Sequence, residues 1–161
     1  MIGAIIGDIV GSIYEWDRIK TREFPFLVSK CFFTDDSVCT VAVADTLLHD
    51  LPPAETMQKW CQRYPHKSYG GMFAGWIYPD PPEPYNSYGN GAAMRVSPAA
   101  FLNRENLEDA LAASDKVTEI THNHPEGMKG RAQRHMQFGL HFKMKNLMRS
   151  EISSLLNTDM T

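Results

Sequence analysis

The stretch "CFFTDDSVCTVAVADTLL", residues 31–48, decides the architecture. From Asp35 onward, small and branched apolar residues fall on nearly every side of a helical wheel: Val38, Cys39, Val41, Ala42, Val43, Ala44, Leu47 and Leu48. A helix that is apolar nearly all round is normally central and buried. It needs other helices packed around it. At its start stand Thr34, Asp35 and Asp36. A threonine ahead of a helix and a carboxylate in its first turn are favoured by the orphan N–H groups and the macrodipole. The second carboxylate is harder to explain, because adjacent like charges repel, and repel more strongly as water is withdrawn. A hard divalent cation reverses that penalty, since Mg²⁺ and Mn²⁺ take carboxylate and hydroxyl oxygens. Spacing alone leaves capping and metal binding both open.

Working outward, residues 1–15 read as a helix with Gly3, Gly7 and Gly11 on one face. Glycine costs about 1 kcal/mol per position in a helix interior, so the stripe predicts something packed very close to that face. Residues 16–33 read as an irregular connection that turns aromatic at Phe24, Phe26, Phe32 and Phe33. Pro52-Pro53 restarts the chain into an amphipathic helix over about 54–64, carrying Met57, Trp60 and Cys61. "YGGMFAGW" (69–76) reads as a short helix, and "YPDPPEPYNSYGNG" (78–91) as a long loop of the kind that is often functional. "AAMRVSPAAF" (92–101) restarts an apolar segment. A helix is expected over 103–121, with Asn103 or Asn106 as its cap and Leu107, Leu111, Val117 and Ile120 as its apolar side. "THNHPEG" (121–127) is a turn with Pro125 at a first helical position, and a last helical stretch is expected to run to about Leu156. No segment alternates as a strand does and no internal repeat is visible, so the class is all-α and the 161 residues form a single domain.

Composition narrows the partners. A net charge of −3 gives no general affinity for nucleic acid or anionic membrane. The apolar run from Ile2 to Ile13 contains Asp8 and falls well short of the ~20 residues that cross a bilayer. It lacks a basic flank, so it does not read as a signal peptide. Cys31, Cys39 and Cys61 are odd in number and lack metal-ligand spacing, which predicts reduced thiols in a cytoplasmic protein.

Several segments, taken in order, carry a resemblance. "GAIIGDIVGSIYE", "FTDDSVCTVAVADTLL", "YGGMFAGW", "YGNGAAMRVSP" and "THNHPEG" together resemble the ADP-ribosylglycohydrolase family, to which the dinitrogenase reductase-activating glycohydrolase belongs, over about residues 1–130. The resemblance implies an all-α multi-helix orthogonal bundle, a binuclear Mg²⁺ or Mn²⁺ centre, and hydrolysis of the glycosidic bond between ADP-ribose and an acceptor. Thr34, Asp35 and Asp36 match the family's first metal motif, with Asp35 and Asp36 also in the catalytic set. Glu15 matches an acidic residue assigned acid/base or gating work. Gly70 and Gly71 fall where the family has a glycine loop near the diphosphate. Asn90, Gly91 and Ala92 match a segment lining the distal ribose and phosphate, and His122 matches a histidine near the ligand.

These residue types suit the chemistry. An oxocarbenium-like transition state needs an oriented sugar, and a carboxylate can pass a proton to the leaving atom. Small residues let backbone N–H groups approach a diphosphate closely. Plainer readings stand beside these. Glu15 can be a solvated helix-end charge, and the glycines can be turn formers. His122 and His124 lack a third zinc ligand. Asp8 reads as a structural residue that orients loops under the site, and Arg95 as an ion-pair or capping residue, with phosphate contact as the alternative.

The chain also departs from the family. The family's second metal motif, Gly-Gly-Asp-x-Asp-Thr, is absent, and Asp159 in "NTDMT" has neither the glycines nor the second aspartate. Residues 131–161 form a divergent tail that carries Arg131, Arg134, Lys143, Lys145 and Arg149 against Glu151 and Asp159. It reads as a truncated or frame-altered end or as a lineage-specific replacement. The expectations that follow are one or no bound ion, weak or lost hydrolysis, and an exposed apolar surface through which two copies would form a homodimer. The alternative is an inactive ADP-ribose-binding or structural remnant.

Overall fold

A computed structural model of the chain describes residues 1–126 and 128, and within them every regular element is a helix. Helix α1 (Ile2–Gly11) runs into a single 3₁₀ turn (Ser12–Tyr14). Helix α2 (Asp35–His49) follows the irregular connection, then α3 (Pro53–Arg63), the short α4 (Gly71–Trp76), α5 (Gly91–Met94) and α6 (Ser97–Leu102), and α7 (Leu107–Thr118). The expected last helix and the divergent tail at 131–161 lie outside the described residues.

Helix α2 is the axis of the fold, and it packs against α1, α3, α5, α6 and α7. Val38, Cys39, Ala42 and Val43 are buried, and they join Met57 and Cys61 of α3, Trp76, Ile77, Val96 and Val117 of α7 in one core. Its end is set by Asp50 in the left-handed region (φ 48°, ψ 46°), a position that asparagine and aspartate tolerate better than most residues. Pro53 sits in the first turn of α3, where a missing N–H costs nothing. The three cysteines are unpaired.

Two boundaries differ from expectation. The helix expected from residue 103 starts at Leu107, capped by the Asn106 side chain, which accepts from the Glu108 N–H at 2.9 Å. Asn103 instead ends α6, its side chain donating to the Ala99 carbonyl at 3.0 Å. The glycine stripe of α1 also behaves differently. A Cβ added at Gly3, Gly7 or Gly11 would meet no atom within 4 Å, so no described residue packs closely on that face. The stripe lines an open cavity instead. Exposed apolar side chains gather on α1 and in the connection after it, including Ile2, Trp16, Phe26 and Leu27. Among the described residues no helix is long and apolar enough to cross a membrane.

Candidate functional site

Asp8 of α1 organises the start of α2. Its carboxylate accepts from the Thr34 N–H at 2.8 Å and the Ser37 N–H at 3.2 Å, and from the hydroxyls of both residues. The structural role read for Asp8 from the sequence is the one it occupies. The Thr34 hydroxyl, with its proton committed to Asp8, accepts from the Asp36 N–H at 3.3 Å. The Asp35 N–H donates to the Lys67 carbonyl at 2.7 Å. The first-turn N–H groups are thus satisfied at Asp8, Thr34 and Lys67, and capping requires neither the Asp35 nor the Asp36 carboxylate.

The two aspartates sit in a strongly negative neighbourhood. Burial first, then the Asp36 carboxylate, with smaller contributions from Glu15 and Asp8, push Asp35 up to about 7 against the pull of a backbone hydrogen bond. Such crowding suits a cation. Thr34, Asp35 and Asp36 offer three hard oxygen donors in one turn, matching the chemistry of Mg²⁺ or Mn²⁺. The set is partial: among the described residues no group of three or more His, Cys, Asp or Glu side chains is arranged to hold a metal.

Two cavities meet at this turn. The larger, about 730 Å³, is lined by the glycine face of α1 together with Asp8, Glu15, Thr34, Asp35, Asp36 and Asn90. The smaller, about 180 Å³, is lined by Asp35, Gly70, Gly71, Asn90, Gly91 and His122, with Phe73, Tyr85, Ser87 and Met94 among its other walls. Asp35, Asn90 and Met94 belong to both. Every candidate site residue from the sequence therefore lines one cavity or the other except Ala92, which is buried and faces neither.

No described glycine has a positive φ, so turn geometry does not by itself demand glycine at these positions. A Cβ at Gly70 or Gly71 would meet nothing within 4 Å, whereas at Gly91 it would lie 2.9 Å from His122 Cε1. His122 is itself buried. Burial, then the nearby Arg95 guanidinium, push it down to about 4, so its ring is neutral near pH 7. Arg95, 1% exposed, donates to the carbonyls of Val117 and Thr118 at the end of α7 and to the Thr121 hydroxyl. It is a capping residue, as one sequence reading had it. Sequence reasoning did not single out Ser87, Tyr85, Phe73 or Thr121. Their signal was position only: three lie in or beside the long loop and glycine segment, and Thr121 adjoins His122.

Among the described residues every regular element is helical, and an oxygen-rich turn at the head of the central helix opens on a glycine-walled cleft. The chain belongs to the ADP-ribosylglycohydrolase family, which it matches over residues 1–136. Among curated proteins it is similar to ADP-ribosylarginine hydrolase Tri1 of Serratia proteamaculans (strain 568), at 24% identity over 157 aligned positions. That alignment covers 80% of this chain and 42% of the relative, so the chain spans less than half the relative's length.

Proposed function

We propose that this chain carries part of the site of a metal-dependent glycohydrolase that cleaves the bond linking ADP-ribose to an acceptor, a protein side chain or a small molecule. Family membership supports the reaction class. The observation that carries the reading is the position of Asp35, shared by a cavity lined with acidic and hydroxyl groups and a cleft lined with small residues.

In this reading Thr34, Asp35 and Asp36 hold Mg²⁺ or Mn²⁺. A bound divalent cation supplies orientation of the ribose hydroxyls and acidification of a water. Asp8 keeps the three donors in register through its hydrogen bonds to Thr34 and Ser37. Gly70 and Gly71, where an added side chain would meet nothing within 4 Å, leave room for a diphosphate beside the backbone. Glu15 lines the larger cavity, and in this reading it passes a proton to the leaving nitrogen or oxygen. His122, neutral and buried, supports the wall and carries no charge to the reaction.

Among the described residues these donors serve one ion and leave a second without carboxylate partners, so weak affinity for a second ion and slow turnover are expected of this chain. The same shortfall favours a second reading, ADP-ribose binding without turnover. The test is release of ADP-ribose from an arginine-ADP-ribosylated protein with Mg²⁺ or Mn²⁺, alongside calorimetry with free ADP-ribose. Metal-dependent release, abolished by Asp35→Ala, supports the hydrolase. Binding without release selects the second reading, and neither binding nor release overturns both.

A further inference from the structure

We propose that Arg95, Thr121 and His122 form a hydrogen-bonded relay that fixes the backbone of Ser87–Gly91 along the cleft, with His122 acting as a positioning residue in its Nε2–H tautomer. The donor and acceptor inventory locates each proton. A guanidinium can only donate, so the Thr121 hydroxyl accepts from Arg95 Nη2 at 2.7 Å. At the far end, His122 Nε2 lies 3.2 Å from the Gly89 carbonyl oxygen, which can only accept, so Nε2 carries the hydrogen. With the ring neutral, Nδ1 is bare and accepts the Thr121 hydroxyl proton across 2.8 Å. The Nε2–H is shared with Ser87 Oγ at 3.0 Å, and that oxygen also accepts from the Gly89 N–H at 3.3 Å.

The loop is held at further points. The Ser87 N–H donates to the Thr121 carbonyl at 3.1 Å, and the closeness of Gly91 to the ring leaves no room for a side chain there. Arg95, His122 and Thr121 are all nearly fully buried, at 1%, 3% and 0% exposure, so water does not compete for these bonds. Within the relay, donation runs from Arg95 through the Thr121 hydroxyl and the His122 ring to the Gly89 carbonyl, and the Ser87 N–H returns a bond to Thr121. The ring thereby acts on any ligand through Gly89 and its neighbours.

The experiment uses the full 161-residue chain. Nitrogen-15 spectra of the imidazole should show a protonated Nε2 and a bare Nδ1. Thr121→Val, which removes the hydroxyl while keeping the shape, should speed hydrogen exchange of the Ser87 and Gly89 amides about tenfold relative to α3, the scale of one buried hydrogen bond. Thr121→Ser should restore the wild-type rate. A wild-type ring protonated at Nδ1 overturns the relay, and so does unchanged exchange in a folded Thr121→Val. If that variant does not fold, the wild-type tautomer decides alone. The effect on ligand rests on the function proposed above: ADP-ribose should bind Thr121→Val about tenfold more weakly and Thr121→Ser normally, a ratio of ~1.4 kcal/mol. A wild type that binds no ADP-ribose overturns that function, while the ring and exchange measurements still judge the relay.

Discussion

Replacing Asp8 should be among the most damaging single changes outside the apolar core. The carboxylate accepts four hydrogen bonds from Thr34 and Ser37, two from backbone N–H groups and two from hydroxyls. In Asp8→Ala the hydroxyls can rotate to other partners, but two N–H groups at the head of the central helix lose theirs. A hydrogen bond to a charged group contributes about 1.5–3 kcal/mol, and Asp8 is only partly buried, so two such losses come to about 3–4 kcal/mol. One effect opposes this: the Asp8 charge raises Asp35, and its removal relieves that repulsion. It ranks last among the causes acting on Asp35, so it does not reverse the sign. Asp8→Asn should cost about half as much. Three of the four bonds converge on Oδ2, where an amide oxygen can still accept them, and what is lost is the charge and the Thr34 hydroxyl's bond to Oδ1. The assay is urea unfolding followed by helical circular dichroism. A loss of about 3 kcal/mol also lowers Tm by about 6–12 °C for a chain of this size. A cost below about 1 kcal/mol for Asp8→Ala, or an equal cost for the two variants, refutes the reasoning.

Three further outcomes are expected. Gly91→Ala should destabilise by about 1–3 kcal/mol, because its Cβ would meet a His122 ring bonded through both nitrogens, while Gly71→Ala should stay within ~0.5 kcal/mol; denaturant midpoints of the pair check this. His122 is held at about 4 when folded against 6.5 when free, so its contribution is full above pH 6.5 and is lost as pH falls toward 4, a total of about 3 kcal/mol. Asp35, raised to about 7, acts in the opposite sense over nearly the same window, so the His122 part is read as the difference between the stability–pH curves of wild type and His122→Gln. Mg²⁺ or Mn²⁺ at about ten times its Kd should stabilise the wild type by about 1.4 kcal/mol and leave Asp36→Asn unmoved in a thermal melt.

Much of the fold could be read because its central element advertises itself. Helix α2 is apolar on all sides and begins with a threonine that caps it, and the structure places both features where composition and capping rules put them. The start of α7 was less legible. Asn103 and Asn106 are equally good caps on paper, and the choice depends on where α6 ends: Asn103 is taken up at that end, its side chain on the Ala99 carbonyl, which leaves Asn106 to cap α7. The glycine stripe shows the limit most plainly: spacing identifies a smooth face, but cannot say what covers it. The site divides the same way. Asp35, Asp36 and Glu15 are conspicuous as charges, whereas Ser87 and Thr121 act through single hydroxyls in loops, where sequence carries no periodic signal.

The Thr-Asp-Asp turn can now be weighed on geometry. If capping were its purpose, the aspartate carboxylates would be engaged with the helix's first N–H groups. Those groups are satisfied at the Lys67 carbonyl, the Thr34 hydroxyl and Asp8. Two further carboxylates add only modest macrodipole stabilisation, about 0.3–1 kcal/mol each where exposed. Against that, Asp35 is pushed up by burial and by three neighbouring carboxylates, so its ionised form is disfavoured at the place where it lines both cavities. A structural account therefore explains Thr34 and leaves Asp35 as a cost. Under the function proposed above, a divalent cation bound by the same turn would remove that cost.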